Sequence, residues 1–267
     1  VNNPIAVCLD RNPFPTVDDL VAAAAGYGFD RIEWFEKDAE APWSNPATSA
    51  RLRELMRRHG LTAQYHAPYE GPAGDLTRDG VRFRAPGEIA ALLSSFMDRA
   101  ERLGAKLMTV HLGSCPAGED RAEALRCALE GLRLAVPELR RRGIRAALEN
   151  HTTAIIDSAL GDRPEEFDWL LAGLPPEWIG MTFDLGHACI NGHLDEFLER
   201  PLDRVFNMHL HDNDGTKDAH LPLGRGIIDW AGVLRRIAGQ CYGGTLTLEF
   251  FAGAEDYHNS MALLRRA

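Results

Sequence analysis

Apolar and polar residues alternate along short stretches of the chain, and each such stretch is followed by a longer one in which apolar residues return every three or four positions. Period two marks a half-buried strand and the longer period an amphipathic helix. The strand-like runs are Ile5–Asp10, Arg31–Phe35, Thr62–Ala67, Leu107–Leu112, Arg145–Asn150, Ile179–Asp184, Val205–His211 and Thr245–Phe250. Helical patterns lie between them, among them Asp18–Gly26, Ala47–His59, Pro86–Leu103, Arg121–Arg142 and Trp230–Ala238. A strand followed by a helix, about eight times over, predicts a parallel sheet with crossover helices. At 267 residues the chain has the size of one (β/α)₈ TIM barrel, so the predicted fold class is α/β, a single barrel domain over residues 1–267. Punctuation agrees: Gly28, Gly60, Gly104 and Gly143 each stand just past a helix, Asp229 reads as an N-cap and Pro164 as a first-turn proline. Pro137 falls inside a helical pattern and predicts a kink or break there.

Residues two apart on a strand share a face. In the last strand Leu246, Leu248 and Phe250 form one face, expected to meet the helices, while Thr245, Thr247 and Glu249 look into the barrel. The same phase turns His66, His111, Glu149, Asp184 and His209 inward at the final turns of their strands. Active sites of such barrels lie at that C-terminal mouth. Singly, a strand-end histidine is an ordinary hydrogen-bonded core residue, and a lone carboxylate an ion-pair partner. Together, three carboxylates in one mouth repel and resist desolvation. Arg31 and Arg145 are the only cations noted in the same phase, so a bound cation is expected. Mixed imidazole and carboxylate ligands suit zinc, manganese, iron or cobalt better than an all-oxygen magnesium or calcium cage.

Composition narrows the partners. Asp and Glu outnumber Lys and Arg by 39 to 29, a formal charge of −10, which argues against a nucleic-acid partner. No apolar run is long enough for a membrane span, and VNNPIAVCLD has neither a basic leader nor an apolar signal core, so the expected location is cytoplasmic. The five cysteines Cys8, Cys115, Cys127, Cys189 and Cys241 are odd in number and lack a CxxC pair, and are expected to be buried small side chains. Trp34 is in phase with the core and Phe35 lies near the second mouth; Arg225, between two glycines, reads as a solvated loop arginine, with a phosphate or carboxylate contact as its alternative. The segment Pro68–Pro86 is long for a strand-to-helix connection and is expected to cover the site.

The runs YHAPY (65–69), VHLGS (110–114), LENH (148–151), FDLGHA (183–188), NMHLHDNDG (207–215), DAHLPLGRGIIDW (218–230) and LEF (248–250) resemble the xylose-isomerase-like TIM barrel superfamily, along essentially the whole chain. That group holds sugar and sugar-phosphate isomerases and epimerases together with endonuclease IV type AP endonucleases. The resemblance implies a metal site of Glu149, Asp184, His209 and Glu249. In the endonuclease branch His66 and His111 share Glu149 with a second metal, and His187, Asp218 and His220 hold a third. Leu112-Gly113-Ser114-Cys115 departs from the Pro-Gly-Ser-His run of that branch, and Arg225 stands where it tends to have an acidic residue. His211 stands where the isomerase branch often has lysine, and both a substrate hydrogen bond and a surface imidazole are open for it.

The first expectation is a divalent-metal-dependent isomerase or epimerase of a sugar, sugar phosphate or related polyol-derived ketone. Glu149 and Glu249 would be its catalytic acid/base pair, with His66, His111, His187 and His220 binding the carbohydrate. Zinc or manganese leads the metal candidates, ahead of iron, cobalt and magnesium. The alternative is an endonuclease IV-like multi-zinc phosphodiesterase, and a third reading is a barrel that binds a ligand without turning it over. No membrane partner is expected, and homo-oligomerisation is left open.

Overall fold

The computed structural model describes residues 3–9, 16–35, 45–69, 84–115, 118–155, 158–250 and 252–266. Eight parallel strands close into a barrel in chain order: β1 Ile5–Leu9, β2 Arg31–Phe35, β3 Thr62–His66, β4 Leu107–His111, β5 Arg145–Glu149, β6 Ile179–Asp184, β7 Val205–Leu210 and β8 Thr245–Leu248. Among the described residues the helices are α1 Val17–Tyr27, α2 Pro46–Arg58, α3 Pro86–Leu103, α4 Arg121–Arg142, α5 Pro164–Ala172, α6 Leu185–Ile190, α7 Leu194–Glu199, α8 Trp230–Gly239 and α9 Ala254–Arg266. No helix among these residues is long and apolar enough to cross a membrane.

The expected strands are all present, each ending up to two residues earlier than its apolar pattern. Ala67, Leu112, Asn150, His211, Glu249 and Phe250 follow their strands, and Asp10 lies outside the described residues. Most of the segment Pro68–Pro86, expected to cover the site, lies outside the described residues too.

The alternation sorts side chains as expected. Leu246, Leu248 and Phe250 are fully buried on the helix side, each such burial contributing roughly 1.5–3 kcal/mol. Trp34 is likewise core, its indole N–H directed at Met56. Gly28, Gly60, Gly104 and Gly143 have φ of 84°, 72°, 76° and 62°, the left-handed conformation that ends a helix without a Cβ clash. Asp229 caps α8 by accepting from Gly232 N–H, and Pro164 opens α5.

Three expectations are corrected. Helix α4 runs through Pro137 without a break, because a ring on the exposed side of a long, well-packed helix costs one hydrogen bond and no buried contact. Of the cysteines, only Cys8 and Cys115 are buried; Cys127 and Cys189 are half-buried, and Cys241 is exposed in the turn after α8. Arg31 and Arg145 share the inward phase but stand at the first positions of their strands, at the far end of the barrel. There Arg31 donates to Gln64 and Thr245, and Arg145 lies over the Phe206 ring. Neither neutralises the carboxylates at the C-terminal mouth.

Candidate active site

Strand register brings the predicted residues together. His111 pairs with Glu149 across β4 and β5, and Asp184 with His209 across β6 and β7; Glu249 follows β8 directly. His209 Nδ1 lies 2.9 Å from Glu149 Oε1, 2.8 Å from Glu249 Oε2 and 3.7 Å from Asp184 Oδ2. His111 Nε2 and His66 Nε2 approach Glu149 Oε2 at 2.9 and 3.4 Å. Four clusters result among the described residues, each with ligand atoms within 4.8 Å of one another: Glu149, Asp184, His209 and Glu249; His66, His111 and Glu149; His187, His211, Asp218 and His220; and Glu33, His66 and His209. All are buried or nearly so.

The loops that deliver the third cluster are built locally. Asp184 caps α6, one oxygen accepting from His187 N–H at 2.6 Å, and the side chain of Asn150 clamps the Asp184 main chain at both N–H and carbonyl. The segment after β7 is organised by buried Asp212, which accepts from the N–H groups of Gly224 and Ile228 and from the Trp230 indole. This segment carries Asp218 and His220. His220 has φ 44°, uncommon for a residue with a Cβ, and its Nδ1 donates to the Glu249 carbonyl at 2.7 Å.

His211 is fully buried rather than a surface imidazole, with Nε2 3.1 Å from both Asp184 oxygens. Arg225 is exposed and reaches Asp256 at 3.4 Å, the loop arginine expected. Phe35 and Tyr69 form an aromatic wall beside the site. Their rings lie 5.3 Å apart, Phe35 being 4.3 Å from His66 and Tyr69 stacked on His111 at 5.4 Å.

Two residues escaped the sequence reading. Glu33 shares the inward phase of Arg31 on β2 and is fully buried beneath the site, so the alternation itself was the available signal. His151 is buried between His111 and His187, at ring distances of 5.4 and 4.8 Å; it follows β5, where strand phase no longer fixes direction.

The buried charges sustain one another. Burial opposes the charge on Glu149, yet His111 and His209 hold its carboxyl well below the usual range. Glu249 is held down, against burial, by His209 and His220, and Asp218 by His187 and His220. In return His187 and His209 stand well above an ordinary imidazole, and His220 is raised to about 9, each despite its burial. His151 goes the other way: burial, then His187 and His111, push it down to about 3.

Glu149 Oε2, Glu249 Oε2 and Asp218 Oδ1 are buried with no hydrogen-bond partner among the described residues. The imidazoles nearest the two glutamate oxygens are at ion-pair distance without the alignment of a hydrogen bond. Buried carboxylate oxygens left so are costly, and a divalent cation among these nitrogen and oxygen donors would satisfy them. The donor set therefore fits a metal ion.

The fold has counterparts. A solved D-tagatose 3-epimerase-like protein superimposes with a TM-score of 0.78 at 24% identity, covering 98% of this chain and 96% of the other. Endonuclease IV from Thermus thermophilus superimposes with a TM-score of 0.68 at 25% identity, covering 98% of both. A probable endonuclease 4 of Thermoplasma acidophilum is 27% identical over 230 residues, which is 78% of this chain and 75% of that protein. The fold is thus one shared by sugar epimerases and endonuclease IV-type proteins. Residues 21–267 match the model of the xylose isomerase-like TIM barrel, and the chain belongs to that family.

Proposed function

We propose that the chain is a metal-dependent isomerase or epimerase of a sugar, sugar phosphate or related polyol-derived ketone. The observation that carries this reading is the convergence of Glu149 and Glu249 on one atom, Nδ1 of His209, both held ionised, each with one buried oxygen free of hydrogen bonds. An ionised carboxylate at the substrate carbon can take its proton. Glu149, Asp184, His209 and Glu249 would hold the cation, which when bound polarises a carbonyl and its neighbouring hydroxyl and so eases loss of the proton between them.

The chain's own groups supply the rest. For isomerisation, the carboxylate that takes the proton returns it to the adjacent carbon while the hydroxyl proton passes to the former carbonyl oxygen; for epimerisation, the other carboxylate delivers one to the opposite face of the same carbon. His187 and His220 each give Nδ1 to a main-chain carbonyl and turn Nε2 to Asp218, so either ring would reach a substrate oxygen by exchanging its Asp218 contact for it. The Phe35 and Tyr69 rings offer an apolar wall to the carbon face of a sugar. The acidic balance of the chain favours a small substrate over a polyanion.

A second reading, a multi-zinc phosphodiesterase, is favoured by one specific observation: the His187, His211, Asp218 and His220 cluster is a complete donor set of its own. Metal content separates the two. Elemental analysis finding near one ion per chain, with solvent deuterium incorporated at carbon of a ketose or its phosphate, supports the isomerase. Near three zinc ions, with chelator-sensitive cleavage of an abasic-site duplex, supports the phosphodiesterase and reverses the ranking. Glu149→Gln and Glu249→Gln should each lower deuterium exchange by about 10²–10⁴-fold while leaving the circular dichroism spectrum unchanged; full exchange in either removes that residue from the reaction.

A further inference from the structure

The imidazoles of the site are not held alike. His66, His111, His187 and His220 each turn Nδ1 to a main-chain carbonyl, of Ala67 at 2.9 Å, Pro68 at 3.4 Å, Asn150 at 2.9 Å and Glu249 at 2.7 Å, which leaves Nε2 for the clusters. His209 is reversed. Its Nδ1 faces Glu149 and Glu249, and its Nε2 lies 2.8 Å from Oε1 of Glu33.

Glu33 in turn is fixed on all sides. Its Oε1 also accepts from Thr109 at 3.0 Å, and its Oε2 accepts from Gln64 at 2.7 Å, Asn207 at 2.8 Å and Thr247 at 3.3 Å. These partners come from β3, β4, β7 and β8 and are themselves buried, so the carboxylate is held across the barrel in the layer beneath the site. Glu33 lies close enough to His66 and His209 to count as a ligand. With four full donors already on its two oxygens, and a share of the Thr247 hydroxyl that also donates to Asn207 at 2.7 Å, it has little left to give a cation.

We propose that Glu33 is a positioning residue: it receives the Nε2–H of His209, fixes that tautomer and ring orientation, and so presents Nδ1 to the cation held with Glu149, Asp184 and Glu249. A carboxylate behind a ligating imidazole makes it a stronger donor, and removal of such a partner typically weakens metal binding by about 10–100-fold. A main-chain carbonyl, as behind the other four imidazoles, orients a ring without lending it a full negative charge. The inference rests on the metal-binding part of the proposed function and not on the reaction.

The test uses manganese alone as probe. Calorimetric titration of the metal-stripped protein with Mn²⁺ is expected to show affinity about 10–100-fold weaker in Glu33→Gln, which keeps the shape but converts one oxygen into a donor. Thr247→Val is the control, since it perturbs the same buried layer and leaves the Glu33–His209 contact in place; its affinity should match the parent. Equal affinity in a folded Glu33→Gln, or equal losses in both variants, overturns the inference. A second measurement serves even if Glu33→Gln does not fold. Nitrogen NMR of the zinc-loaded, histidine-labelled parent should show His209, assigned by its loss in His209→Asn, metal-bound at Nδ1 and protonated at Nε2. The opposite tautomer overturns the proposal. A parent chain that binds no manganese takes down the metal reading, and this inference with it.

Discussion

At the residue scale the site depends on what is missing as much as on what is present. A Cβ at Gly186, in the first turn of α6, would fall against Cε1 and Nε2 of the His211 ring, well inside van der Waals contact. That Nε2 faces both Asp184 oxygens, and the ring is fully buried with nowhere to retreat. Gly186→Ala is therefore expected to destabilise the chain by about 1–3 kcal/mol, the usual cost of overpacking, read as a lower urea midpoint; an unchanged midpoint would show that the ring moves aside freely. None of this close packing is visible in FDLGHA. The nine residues that the family resemblance implied as ligands do meet in the structure, since strand phase fixes direction for six of them and the motifs fix the other three. Glu33 was equally legible by phase. It stands in mid-strand rather than at a strand end, and from there a side chain can act on the site through the layer below.

Elements tell a similar story of local rules bent by packing. Pro137 sits in α4 on the exposed side, where its missing N–H and its ring weaken a helix that packing holds together. Relative to alanine, an interior proline costs about 3 kcal/mol, and its restriction of the unfolded chain returns up to about 1 kcal/mol. The difference, about 2 kcal/mol, is the stabilisation expected of Pro137→Ala. Chemical denaturation would show a higher midpoint; an equal or lower one would mean that the proline is needed where it stands. Strands and long helices were legible because their periods repeat often enough to be counted and glycine marks their ends. The six-residue helices α6 and α7 were not. Fewer than two turns carry too little periodicity, and α6 exists because Asp184 caps it. Strand ends were read too long for a related reason: apolar alternation continues into the loops that wall the mouth, after the hydrogen-bond ladder has stopped.

For the whole molecule, the clustered charges tie stability to pH and to metal. Without a cation the site is held by proton-mediated pairs. A group whose pKa rises on folding contributes stability that is complete below its unfolded value and lost as pH climbs through its folded one. His220, raised from 6.5 to about 9, sets that window, and His187 and His209 shift in the same direction. Carboxylates held down behave oppositely: Glu149, Glu249 and Asp218, ordinarily at 4.5, 4.5 and 3.8, contribute above those values and lose the contribution as pH falls below them. The chelated protein is thus expected to be most stable between about pH 4.5 and 6.5 and to weaken steadily from 6.5 to 9. A bound cation takes the place of those protons. Ligating imidazoles are neutral, and metal affinity grows as ligands deprotonate, so the loaded protein should hold or gain stability over the range in which the chelated one declines. Denaturation midpoints measured across this range with chelator and with manganese should therefore diverge as pH rises. Parallel curves would mean that the buried histidines and carboxylates answer to each other alone, and that the carboxylate oxygens left without partners are not waiting for an ion.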